Sequence, residues 1–214
     1  EASKEIPVLR FPVPDAVYND PNTPFKLEAG MKVGAYFNAA LKVTNNANEL
    51  LPSAGGLLGF YGRLSVMCVS LSAATVYAIG QANLDLASDT KIGPSLRMKF
   101  GFGAQDVIGL PVAGNVSVLF VVGVEIFAAN NIIELTAFML FEGHAEILGG
   151  IVSITIRIEA KGTVSKKAIG NDSRTDLACQ VTCGLDISIF LVINISAEWS
   201  WDENRQIAGS KKLP

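Results

Sequence analysis

The stretch FEGHAEI, residues 141–147, holds the single histidine of the chain, with a carboxylate two residues to either side. Side chains two apart on a β-strand share a face. Glu142, His144 and Glu146 would then form a row of two oxygen ligands around an imidazole, a set able to hold a divalent metal if the strand bends at Gly143. No fourth ligand is identifiable. The plainer expectation is a solvent-facing polar row, so no metal and no cofactor is predicted, and these three residues are the ligands to check.

Other chemistry is thinner. No G-x-S-x-G elbow occurs, and a lone histidine offers a Ser-His-Asp or Cys-His arrangement no recognisable partner. GFGAQD (101–106) opens like a dinucleotide fingerprint, but Asp106 stands where the third glycine belongs, among strands. Glu125, Glu134, Glu142 and Glu146 could pair as carboxylates only in the sense that any β protein allows. NDPN (19–22) and DEN (202–204) are incomplete as calcium loops. The sequence predicts no enzyme.

The elements that carry these residues are strands. With 214 residues the chain can bury about 70% of its unfolded surface without help from disulfides or metals. Half of its residues are hydrophobic and 17% are charged, against a usual share of about 25%. Some surface must therefore meet another subunit, a lipid or an apolar ligand. A net charge of −3 argues against nucleic acid, which needs a basic stripe.

Residues 1–30 contain Pro7, Pro12, Pro14, Pro21 and Pro24, which predict an extended N-terminal arm rather than a helix or central strand. From 31 to 206, alternating segments punctuated by Gly, Asn and Asp predict one all-β domain. Its architecture is expected to be an antiparallel β-sandwich (jelly-roll-like) or a barrel of long strands. Residues 207–214 read as a C-terminal tail. Between 177 and 201 every odd position is apolar, from Leu177 to Trp201. A single strand of that length would run about 80 Å, so a bulge or bend is expected at Gly184 and Asp186.

Phe190 and Val192 interrupt the polar face of this stretch, and VSVLFVVGVEIF (116–127) is apolar on both sides. Strands apolar on both sides are covered twice. Trp199 and Trp201 share a face and read as core closure or interface anchors. The uncharged runs 64–84 and 107–124 lack basic flanks and contain strand-like residues and turns, so no transmembrane helix is predicted. The Trp pair and the alternation also suit a transmembrane β-barrel. Apolar residues on both strand faces speak against the polar interior such a barrel requires.

Cys179 and Cys183 would lie about 13 Å apart on one strand and cannot bond each other. Cys68 could bridge to one of them, or all three could be free thiols. The sequons at Asn115, Asn171 and Asn194 suit a secreted or extracellular protein.

Together these features predict a non-enzymatic, self-associating structural protein, the building block of an extracellular oligomer, filament or matrix. Phe11, Val13, Phe190, Val192, Trp199 and Trp201 are its expected interface residues. The alternative is a β-barrel carrier whose apolar interior holds a lipid or pigment.

Overall fold

A computed structural model describes residues 2–20, 22–38, 53–71, 74–91, 93–110, 114–170, 172–190 and 192–210. It contains β1 (Ala2–Phe11), the short α1 (Asp15–Tyr18), β2 (Phe25–Asn38), β3 (Ser53–Ser70), β4 (Ala74–Asp89) and β5 (Gly93–Leu110). There follow β6 (Gly114–Ala129), β7 (Ile132–Ile147), β8 (Val152–Ile169), β9 (Asp172–Ile189) and β10 (Ile193–Ser210). All ten strands belong to one open antiparallel sheet in sequence order, each paired with its chain neighbours. From β3 onward they hold 16 or 18 residues each, about 55 Å of extended chain. No ladder joins β10 to β1 among the described residues.

The segment expected as an extended arm is instead mostly sheet. Residues 2–11 are the edge strand β1, and β2 begins inside the same segment at Phe25. The prolines fall where a missing N–H costs nothing. Pro7 sits in the register shift between Ile6 and Leu9, Pro12 and Pro14 lie between β1 and α1, and Pro24 precedes β2. Residues 207–210 likewise belong to β10.

The long alternating stretch breaks elsewhere than expected. β9 passes through Gly184 and Asp186 with unbroken pairing, and the chain reverses after Ile189, with Phe190 at φ 55°. Ile189 and Ile193 pair directly across this turn, so the odd residues of both strands stay on one face. Parity survives the reversal.

Cross-strand partners share a face, so the ladders sort every strand residue to one side of the sheet or the other. One side is polar. In β8 it carries Ser153, Thr155, Arg157, Glu159, Lys161 and Thr163, and across the ladder in β9 Ser188, Asp186, Thr182 and Gln180. The other side is apolar, with Ile154, Ile156 and Ile158 of β8 against Ile187, Leu185 and Cys183 of β9.

The small core lies on the polar side. Ser65, Thr75, Tyr77, Ile79, Val121 and Phe138 are the buried strand side chains apart from glycine, and all six fall on that face. Phe138 leans over Gly123, where a Cβ would come within 2.5 Å of its ring, and Lys99 Nζ sits 4.4 Å from the ring centroid. Arg63 donates to Gln105 across the intervening strand at 2.9 Å, and the Tyr77 hydroxyl donates to the Thr23 carbonyl at 3.0 Å. Val121, on this face of β6, is 2% exposed. The second covering expected for 116–127 is therefore internal on this side. Leu119, Val121 and Phe127 share it with Ser117 and Glu125.

Gly123→Val drives a side chain into the Phe138 ring and the Phe100 carbonyl, and is expected to cost about 1–3 kcal/mol. Gly162→Val meets nothing within 4 Å and should fall within about 0.5 kcal/mol of wild type or gain stability. Denaturant unfolding of the two variants side by side checks the difference.

Candidate functional site: an uncovered apolar face

Glu142, His144 and Glu146 lie in one row on the polar face of β7. His144 Nδ1 pairs with Thr155 Oγ1 at 2.8 Å and its Nε2 faces Glu146 Oε1 at 3.5 Å. Glu142 lies opposite Arg157. The row does not converge on one point. Among the described residues no three His, Cys, Asp or Glu side chains are grouped to hold a metal ion.

The six expected interface residues do not form one patch. Phe11 ends β1, with its ring edge-on to Phe25 at 6.2 Å, and Val13 follows it. Phe190 and Val192 sit in the turn between β9 and β10, at the same end of the sheet but beside its opposite edge. Trp199 and Trp201 lie on the apolar face of β10. A larger surface links them: the whole apolar face and the end of the sheet to which it runs.

That face has a defined shape. Its apolar positions form uninterrupted 13-residue runs at 25–37, 74–86, 116–128, 152–164 and 177–189, one in each of β2, β4, β6, β8 and β9. The runs are not level. The row of partners that leaves Met31, the middle of the β2 run, passes through Phe60, Leu84, Met98, Ile126 and Leu135. It continues through Val164 and Leu177 to Arg205 in β10. The apolar run of β10 is 193–201, centred on Ala197, eight residues short of Arg205. The run centres at 31, 80, 122, 158, 183 and 197 lie 0, 4, 4, 6, 6 and 8 residues from this row, so over the eight steps from β2 to β10 the band slips eight residues, one per strand on average. A rise of about 3.3 Å per strand spacing of about 4.8 Å means that strands cross the band at about 35°. Thirteen residues span about 40 Å of strand, so the band is about 32 Å high.

Among the described residues none on this face is buried. The chain exposes 14337 Å², where a folded monomer of this mass exposes about 9,500 Å². Phe102 is 69% exposed and Trp199 60%. Across β2 to β6 the face carries an open groove of about 860 Å³ floored by Val33, Leu58, Leu86, Leu96 and Ala128. Lys4 of β1, opposite Val33, is one charged residue on this face, and Asp106 is another. It lies between Val76 and Val118, and its buried Oδ1 has no hydrogen-bond partner.

The two ends of the sheet differ as well. At one end the described residues Leu71, Leu148, Phe190 and Val192 are apolar and between 61% and 82% exposed. At the other end the described turn residues are Thr90, Lys91, Asn130, Asn131 and Gly170, and both Ala2 and Ser210 lie there. Beside the apolar end, α1 is fastened through Tyr18, which donates to Glu28 at 3.2 Å under the Arg10 guanidinium. Burial pushes the Tyr18 hydroxyl above the ordinary tyrosine range, and the neighbouring Glu28 carboxylate adds to this.

The three cysteines are free. Cys68 is exposed in β3, six strands from Cys179 and Cys183, which sit half-buried on the apolar face of β9. The band itself escapes sequence inspection, because alternation gives each strand two faces without saying which faces of neighbouring strands coincide. No family model, curated protein or solved structure matches the chain.

Replacing Asp106 with Val removes an unpaired buried oxygen and leaves no partner orphaned. It is expected to raise stability by about 1 kcal/mol or more in denaturant titrations.

Proposed function

We propose that the chain is a non-catalytic, membrane-embedded β-structure, with its apolar face against acyl chains and its polar face lining water as the wall of a barrel. One observation carries this reading: the height and slant of the apolar band. A hydrocarbon core is about 30 Å thick, and strands of outer-membrane-type barrels cross it at about 35–45° with apolar residues outward and polar ones inward. The band is about 32 Å high and is crossed at about 35°. The ladders give β8 and β9 one apolar and one polar face, while in β6 Leu119, Val121 and Phe127 lie on the polar side. The apolar turns suit the end that enters the bilayer first, which leaves the polar turns and the strand ends Ala2 and Ser210 on the side of entry.

Association of copies in water through the same face, as an extracellular oligomer or filament, is the second reading. It is favoured by the excess exposed area, which exceeds a standard interface of about 800 Å² per partner several times over. That arrangement requires an apolar surface but neither a fixed height nor a slant, so it ranks second.

Flotation with phospholipid vesicles separates the two. Membrane insertion predicts that purified protein floats with vesicles and resists alkaline extraction, whereas assembly in water predicts a defined oligomer left at the bottom of the gradient. Within inserted protein, Val122→Arg at the middle of the band is expected to cost about 2–4 kcal/mol. Gln180→Arg, exposed on the polar face, should cost no more than about 0.5 kcal/mol. Equal effects at the two positions would rule out a lipid-facing side.

A further inference from the structure

We infer that β10 closes onto β1 of the same chain with a displacement of ten residues, which sets Ile195 opposite Ile6. The inference rests on the membrane reading. β1 and β10 are the two open edges of the sheet, and unpaired backbone N–H and C=O groups are not tolerated in hydrocarbon, so a spanning sheet closes. Ten alternating strands leave β1 and β10 antiparallel, as a ladder between them requires.

The register follows from the band. It slips one residue per strand on average, and a full circuit of ten strands accumulates ten. The displacement is even, so apolar positions meet apolar positions. Ile6 and Ile195 both lie on the apolar face.

A level closure would put Phe11 opposite Trp201 and Ile6 opposite Arg205, drawing the Arg205–Glu203 ion pair into the band. The displaced closure sets residues 2–9 of β1 against residues 193–199 of β10 and leaves residues 200–210 projecting beyond them.

The curvature fits one chain. Ten strands at this tilt make a barrel of about 19 Å across the backbone, little wider than the eight-stranded barrels that side chains fill. On the polar face, Lys99 already covers Phe138 and Arg63 reaches Gln105, each two strands away.

The test uses the full chain with Cys68→Ser, Cys179→Ala and Cys183→Ala, floated with vesicles and then oxidised. Directly opposed residues have Cα atoms about 4.5–5.5 Å apart, within disulfide range. Ile6→Cys with Ile195→Cys is expected to form an intramolecular disulfide roughly tenfold faster than Phe11→Cys with Trp201→Cys. Leu9→Cys with Ile193→Cys, at the same displacement, serves should the first pair disturb folding.

Faster bonding of the level pair overturns the register. Disulfide-linked dimers from the displaced pairs assign the edge to a second copy instead. Failure of every pair in protein that floats overturns closure. Protein that does not float overturns the membrane reading itself, and closure with it.

Discussion

Everything in this structure follows from one constraint: the cross-strand ladders hold apolar residues on the same side of all ten strands. Each strand alone is only alternating. Pairing makes the alternation a property of the sheet, because direct partners share a face and a slip of one residue would exchange the faces. The register shifts only at three bulges, near Ile6, Met67 and Gln206, all in β1, β3 and β10. The central strands run unbroken from edge to edge, and the faces never mix there.

The usual logic of a globular core is inverted as a result. The side that curves is the polar one, and it buries Tyr77, Ile79, Val121 and Phe138 among threonines, lysines and glutamates. Its glycines make this possible. Gly103 and Gly123 let neighbouring strands and the Phe138 ring approach where a Cβ would collide with the Phe120 and Phe100 carbonyls. The apolar side is left outside and uncovered. A single sheet has one concave side, so a chain that commits it to polar residues must find a covering for the other elsewhere. Acyl chains provide that without any further protein, and the proposed closure would supply the edges.

The one histidine lies in a shallow row of polar side chains, with a threonine hydroxyl on one ring nitrogen. Asp106, read from sequence as the misfit in a dinucleotide fingerprint, is instead a carboxylate stranded among valines. Its position is in β5, on the apolar face, rather than in a loop.

Much of the fold was legible in the sequence. Alternation and turn residues specify strands, and strongly so in β8, β9 and β5. Scarce charge requires that something cover the chain. The prolines of residues 1–30 were legible as breaks but not as an edge strand, because an edge tolerates a missing N–H and so hides its prolines. The reversal at Phe190 was hidden too, since a turn that preserves parity leaves the alternation looking continuous. The sequence by itself determined that apolar residues recur every second position. Only the tertiary structure decided that they fall on one common face, in a band crossed at a slant. That outcome depends on the register of nine successive ladders, and no pattern within one strand encodes it.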